Sequence, residues 1–244
     1  MSSIVESINK YLAADYEETM REYKQGLFHV SDLCNDCSRQ TWYKYTIPQV
    51  YDGAKSGIFM RGDVYETWLA VEVLPKIFPD TKIERQIEMV DEYERDDQKI
   101  TISGHADIGL NNLIVEVKTI GSKNLGWLKE PKPENVRQLN YYCWKNNKDG
   151  ILIYLSPDTL DRKEFTVKMD GGEAQKLIDK AFSLDKDLKA SKVSEPTIGW
   201  ACNKNNRQGK VFCDFCQQCL KDGNENLMDA WKQSEQKFGG FRRW

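Results

Sequence analysis

Apolar positions recur along this chain with two different periods, and the switches between them divide it into elements. Near the N-terminus Ile4, Ile8, Tyr11 and Leu12 repeat at helical spacing and predict a helix over residues 2–22. Ser31-Asp32 opens a second predicted helix through Trp42-Tyr43-Lys44-Tyr45, and a third covers about 56–74, with Ile58, Tyr65, Leu69 and Val73 as its buried stripe. The period then shortens to two, which predicts strands over 82–91 (KIERQIEMVD), 99–110 (KITISGHADIGL) and 113–119 (LIVEVKT). After a loop rich in Gly, Lys and Pro, ENVRQLNYYCWKNN (134–147) returns to helical spacing, and ILIYLS (151–156) is a continuous apolar run of the kind that forms a buried strand. An edge strand over 163–169 and a helix over 172–190 complete the pattern. Helices, three strands, a helix and a strand suit an α/β fold in which a mixed central sheet is flanked by helices.

One short stretch breaks its own pattern. GHADIGLNNLIVEVKT (104–119) sets Asp107, Glu116 and Lys118 among Val, Ile and Leu. Asn tolerates positive φ, so Asn111-Asn112 is a suitable two-residue turn. That turn pairs Leu110 with Leu113, Gly109 with Ile114 and Ile108 with Val115, and it puts Asp107 opposite Glu116. Lys118 then shares the face of Glu116, while Ala106, Ile108, Leu110, Leu113, Val115 and Val117 form the opposite, core-facing surface. Two carboxylates opposed across a hairpin repel by about 0.2–1 kcal/mol when solvated, and a divalent cation between them reverses the sign.

Composition narrows the field without choosing within it. The chain is 40% hydrophobic and 30% charged with a net charge of -3, so a nucleic-acid partner must be met by local basic patches and not by a global field. The N-terminus mixes acids into its apolar positions, which excludes a signal peptide, and no stretch approaches the roughly 20 apolar residues that span a bilayer. Seven cysteines without an export signal point to a reducing compartment, where such residues bind metal more often than they form disulfides. The expectation is a cytoplasmic protein of a prokaryotic cell, or a virus-encoded one acting in the host cytoplasm.

An acid, a second acid nine residues later, a hydrophobic residue and a Lys, laid across strand, turn and strand, resemble two motifs of the PD-(D/E)XK nuclease superfamily: Asp107 and Glu116-Val117-Lys118. Two further segments are similar to the RecB-like branch. RGDVYETW (61–68) places Glu66 four residues after Gly62, where relatives carry a metal-binding acid or His, and Gln138-Leu139-Asn140-Tyr141-Tyr142 matches the Q-x-x-x-Y helix that follows the catalytic Lys. Gln138 and Tyr142 are i and i+4 and share a helix face. The resemblance implies a restriction-endonuclease-like core and an exonuclease acting on single-stranded DNA with 5' to 3' polarity. It also implies Mg2+ or Mn2+ on Glu66, Asp107, Glu116 and the Val117 carbonyl, with Lys118, Gln138 and Tyr142 in the catalytic set.

The cysteines add a second centre. Cys34 and Cys37 precede the core, and Cys202, Cys213, Cys216 and Cys219 crowd a tail from Glu195 onward that has few aliphatic core formers. Cys143, in YYCW, reads as packing. Cys37-Ser38-Arg39 followed by Cys213, Cys216 and Cys219 resembles the CRISPR-associated and phage exonucleases that carry a 4Fe-4S cluster, with Cys34 and Cys202 as alternates. Zinc on four thiolates, for instance Cys34, Cys37, Cys213 and Cys216, is the other possibility. The resulting division is an N-terminal helical region (1–54), a nuclease core (55–194) and a cysteine-rich C-terminal region with a helix (195–244).

Basic residues expected along a DNA path are Arg39, Arg61, Lys123 and Arg137, with Lys204, Arg207 and Lys210 in the tail, and Trp42, Tyr43 and Trp127 are candidate stacking platforms for unpaired bases. The competing function is a non-catalytic, cluster- or zinc-stabilised module that binds DNA ends and hands them to an integrase or recombinase. CRISPR adaptation, phage recombination and host repair are all compatible settings.

Overall fold

The computed structural model describes residues 3–19, 23–48, 53–202, 204–205, 210–211, 213–223, 228–229 and 232–233. Arg207, and the side chains of Lys204 and Lys210, lie outside the described part. The chain clusters into two compact units, residues 1–34 with 49–181 and residues 35–48 with 182–244. The linear division expected from the sequence thus gives way to interleaved segments, with Cys34 in one unit and Cys37 in the other.

The first unit is built on one sheet. Helix α1 (Ile4–Thr19) precedes strand β1 (Leu27–His29) and the single turn α2 (Val30–Leu33). Helix α4 (Gly53–Trp68) continues through a π-helical turn, Leu69–Val73, into α5 (Leu74–Ile77). Strands β2 (Ile83–Arg95), β3 (Gln98–Leu110) and β4 (Leu113–Thr119) follow, then α6 (Ser122–Trp127), α7 (Pro133–Asn146), β5 (Asp149–Leu155), β6 (Arg162–Val167) and α8 (Gly171–Lys189). The run α4-β2-β3-β4-α7-β5 is the restriction-endonuclease-like order expected from the sequence. β4 and β5 are parallel because α7 carries the chain back across the sheet, whereas β2, β3 and β4 meet as antiparallel neighbours.

The topology leaves one opening. β2 occupies one edge of β3 over nearly its full length, so β1 and β4 share the other edge. β1 pairs with residues 101–103 and β4 with residues 108–110, which leaves 104–107 without a strand on that side. The missing strand partner lies in the GHAD stretch.

Two packing layers cover the sheet. Leu69 and Ala70 of the π-turn pack with Ile108, Val115 and Val117 on one face. Helix α7 covers β4 and β5 from the other, where Gly150 lies so close to Cys143 and Leu139 that a Cβ would approach their side chains to 2.6–2.7 Å. The buried stripe expected on the third helix is only partly right: Leu69 is buried, but Ile58 is 56% exposed. Ile4, Ile8 and Tyr11 on α1 are likewise exposed. The helix expected from Ser31 through Tyr45 is broken at Asn35–Cys37, so α2 and α3 (Ser38–Thr46) are separate. No described helix is long and apolar enough to cross a membrane.

In the second unit, α3, the last turns of α8, a 3-10 turn (Trp200–Cys202), two paired two-residue strands β7 (Lys204–Asn205) and β8 (Lys210–Val211), and α9 (Cys216–Lys221) are the described elements. Its buried side chains are mainly aromatic and polar, among them Tyr43, Phe182, Phe215, Arg39, Thr41 and Ser194.

Candidate metal centre and cysteine cluster

The hairpin register is as the turn chemistry dictates. Leu110 pairs with Leu113, Gly109 with Ile114 and Ile108 with Val115, and Asn111 takes the turn at φ 53°. The next expected pair, Asp107 with Glu116, is not part of the ladder. Asp107 instead accepts the Val117 N–H on Oδ2 at 2.7 Å, so a side-chain carboxylate replaces the backbone acceptor where the two strands part. The N–H and C=O of a strand residue point to the same edge, and the Val117 carbonyl therefore faces the same opening.

The face that carries Glu116 corrects a second expectation. It is not a surface left over by the core: Glu116 is 0% exposed, because β4 is central and is covered by α7 as well as by the π-turn. Lys118 Nζ donates to Glu116 Oε1 at 2.7 Å, and Glu116 Oε2 is buried with no hydrogen-bond partner. A buried, half-satisfied carboxylate costs several kcal/mol unless a cation or donor completes it.

Glu66 reaches the same neighbourhood from α4. It is buried, accepts a hydrogen bond from Gln86 Nε2 at 2.7 Å, and lies in electrostatic range of Glu116 and Asp107. Gln86 stands at φ 48° and is the one residue of its stretch of β2 that skips the ladder with β3. Burial raises the Glu66 carboxyl, and burial together with the charge of Glu116 raises Asp107 well above its ordinary value. Burial alone would lower the Lys118 ammonium, but Glu116 and Asp107 more than offset it and hold the group above its ordinary value. Glu66 and Asp107 are thus destabilised as anions, and the lysine is held cationic.

Gln138 and Tyr142 meet as the helix spacing predicts, Gln138 Nε2 donating to Tyr142 Oη at 3.3 Å. Tyr142 is buried, and burial plus the charge of Glu116 pushes its hydroxyl well above 10. Its ring is seated against Gly104, where a Cβ would come within 2.9 Å of Tyr142 and of Val30. Periodicity alone does not single out Gly104 or Gln86. The left-handed backbone of one and the close approach at the other appear only in three dimensions.

Each acid is tied to a protein donor, and among the described residues no three His, Cys, Asp or Glu side chains stand at metal-holding separation. The donor set is nonetheless that of a hard-cation site: three carboxylates, a carbonyl edge and one unsatisfied buried oxygen.

Among the expected DNA contacts, Arg61 and Lys123 are exposed, the latter 4.8 Å above the Trp127 ring. Arg137 donates through Nε and Nη2 to the Cys34 carbonyl at 3.0 and 2.6 Å, which pins α2 to α7. Arg39 is a correction: it is 8% exposed and donates to the Ser194 carbonyl at 2.7 Å, so it is an internal support and not a surface contact. Tyr43 is another, since its ring is buried against Phe215 and its hydroxyl donates to Asp222. His105 faces Glu88 of β2.

The cysteines sort into two groups. Cys34 and Cys143 are buried in the first unit, where burial pushes both thiols up to about 12; burial also raises Cys202, Cys219 and Cys213, the last to about 11. In the second unit, the Thr197 N–H donates to Cys37 Sγ at 3.4 Å, the Cys213 N–H to the Ala201 carbonyl at 3.0 Å, and Arg39 Nη1 to Cys219 Sγ at 3.9 Å. Cys37 and Cys202 stand in electrostatic range of each other, of Cys213 and of Cys219. Cys216, buried at the first turn of α9, adjoins Cys213.

No protein-family model and no curated protein sequence matches the chain. Among solved structures, that of SSO0001 aligns at a TM-score of 0.62 with 22% identity, over 91% of this chain and 98% of that one. An alkaline exonuclease from Laribacter hongkongensis aligns at 0.49 with 12% identity, over 75% of this chain and 93% of that one. A phage-related exonuclease from Haemophilus somnus 129PT aligns at 0.43 with 12% identity, over 64% and 82%. The first likeness is one of fold, and the weaker two add nothing to it.

Proposed function

We propose that the chain is a divalent-metal-dependent deoxyribonuclease acting on single-stranded DNA or frayed ends. The observation that carries the reading is Glu116, a fully buried carboxylate with one oxygen bound by Lys118 and the other unsatisfied, beside the edge where β3 and β4 separate. Such an arrangement is costly as a structural element and suits a cation site.

Glu66, Asp107, Glu116 and the Val117 carbonyl would hold one or two Mg2+ or Mn2+ ions, which when bound polarise a phosphodiester and acidify an attacking water. Lys118, kept protonated by its two acidic neighbours, stabilises the negative charge that builds on the phosphate oxygens. Asp107, anchored on the Val117 N–H, holds the opening between the strands fixed. Gln138, in contact with the Tyr142 hydroxyl, orients the strand backbone from α7. Exonuclease action with 5' to 3' polarity, and a role in CRISPR adaptation or in phage or host recombination and repair, rest on the sequence resemblance.

For the cysteine region we propose a 4Fe-4S cluster. The electrostatic proximity of Cys202 to Cys37, Cys213 and Cys219 supports Cys37, Cys202, Cys213 and Cys219 as ligands, with Cys216, beside Cys213, as the alternate for Cys202. An anaerobic preparation should be brown and bleach on reduction; a colourless one with stoichiometric zinc replaces the cluster by zinc. For the activity, purified protein with Mn2+ should degrade single-stranded DNA. Tight DNA binding with no cleavage under any divalent ion overturns the enzyme in favour of a module that delivers DNA ends to an integrase or recombinase.

A further inference from the structure

Helix α4 carries Glu66 toward the metal site, and a different side of the same helix lines a hollow of about 590 Å3. Met60, Arg61, Val64, Tyr65 and Trp68 form its helical wall, and Leu160, from the β5–β6 turn, closes it. The volume lies within the range of about 300–1,000 Å3 typical of small-molecule sites. Tyr65 and Trp68 meet edge to face with centroids 6.5 Å apart, and the Tyr65 hydroxyl donates to the Pro157 carbonyl, which ties the wall to the turn. Leu160 is 44% exposed at φ 58°, in a turn closed by its N–H on the Ser156 carbonyl at 2.8 Å and by the Ser156 N–H on the Asp161 carbonyl at 2.9 Å.

The chemistry of the wall narrows the occupant. Among the described residues Arg61 is the one charged side chain that lines the hollow, and it makes no ion pair with any of them; Asp63 and Glu72 line an adjoining hollow that shares Met60, Val64 and Trp68. An apolar, aromatic recess with a lone guanidinium matches a flat heterocycle attached to a phosphate. A helix with its side chains is about 10–12 Å across, so a phosphate near Glu66 and a base in the hollow belong to the same short run of nucleotides.

Resting on the nuclease reading, we infer that this hollow is a nucleobase subsite. An unpaired base of the DNA strand stacks on one of the two perpendicular rings, Tyr65 or Trp68, and meets the other at its edge, between Val64 and Leu160, and Arg61 takes the adjoining phosphate. The site is sequence-tolerant, because every base has a π-face and the lining offers few directional groups.

The test compares the affinity of a labelled oligothymidylate with that of an abasic oligonucleotide of equal length, by fluorescence anisotropy with Ca2+ in place of Mn2+. Wild-type protein should bind the base-bearing strand at least fivefold more tightly. Met60→Glu, a change at a position already 39% exposed, should abolish that preference by placing an anion in the recess. Arg61→Gln should weaken both strands equally and reduce the salt slope of binding by about one. Protein that cleaves single-stranded DNA yet binds both strands alike, or a Met60→Glu variant that keeps the preference, overturns the subsite and leaves the nuclease reading standing. Failure of wild-type protein either to cleave or to bind DNA overturns the nuclease reading, and the subsite with it.

Discussion

The acid site and the cysteine region organise reactive side chains in opposite ways. Around Glu116 the framework is complete without any ion: Ile102, Ile108, Ile114, Leu139 and Leu152 are fully buried, and a central strand clamped between two partners carries the residues of interest. Around Cys37 the described elements are short, and the buried residues include Arg39, Thr41 and Ser194 beside three aromatic rings. A sheet can bear the cost of one half-satisfied carboxylate because hundreds of other contacts hold it. Short elements with a polar interior lack that reserve, and for them a bound centre supplies folding free energy as well as geometry. Loss of a ligand should therefore be silent for stability in the first region and ruinous in the second.

The largest effect should come from charge removal in the sheet. Asp107→Asn keeps an oxygen for the Val117 N–H but loses the anion, and we expect Mn2+-dependent cleavage of single-stranded DNA to fall about 10²- to 10³-fold. The melting temperature should be unchanged or higher, since a buried carboxyl already held above its ordinary value loses little on neutralisation. Full activity in this variant would remove Asp107 from the site. The matched experiment in the second region is Cys202→Ser, which should lose the chromophore, most of the bound metal and protection of residues 182–223 from limited proteolysis. Cys34→Ser, by contrast, should keep its full metal content, because that thiol is a core residue of the other unit. If Cys216→Ser loses the metal and Cys202→Ser retains it, the ligand set returns to the one read from spacing.

Much of this contrast was legible in the residue pattern. The two-residue period and the Asn-Asn turn were enough for the β3–β4 register, and the element order was enough for the mixed sheet. What could not be read depends on partners distant in sequence. Leu27–His29 is too short to signal a strand, yet its pairing with residues 101–103 creates the opening at 104–107. Glu116 alternates as a surface residue should, and it is buried because β4 is central and is covered by α7, an element that follows α6 in the chain. Among the cysteines, regular C-x-x-C-x-x-C spacing favours Cys216. The fold also brings Cys202 near by bonding the Cys213 N–H to the Ala201 carbonyl, and no local spacing encodes that contact.

A third variant probes how the sheet site is braced. Gly104→Ala adds a Cβ within 2.9 Å of both Tyr142 and Val30, and overpacking of this kind costs about 1–3 kcal/mol. The stability loss should appear in thermal melts of the first unit. Activity should drop further than stability explains, because the Tyr142 ring must shift and Gln138 with it.

The smallest effect isolates the Tyr142 hydroxyl from its ring. Tyr142→Phe keeps the packing against Gly104 and Val30 and removes a hydroxyl whose contact with Gln138, at 3.3 Å, is long for a hydrogen bond. The lost bond contributes about 0.5–1.5 kcal/mol, so cleavage should slow by no more than about tenfold. Because the hydroxyl is neutral at any working pH, the pH–rate profile should keep its shape. Should Tyr142→Phe instead match Asp107→Asn in severity, the tyrosine contacts the reacting strand directly, and the Gln138 amide is its support and not the reverse.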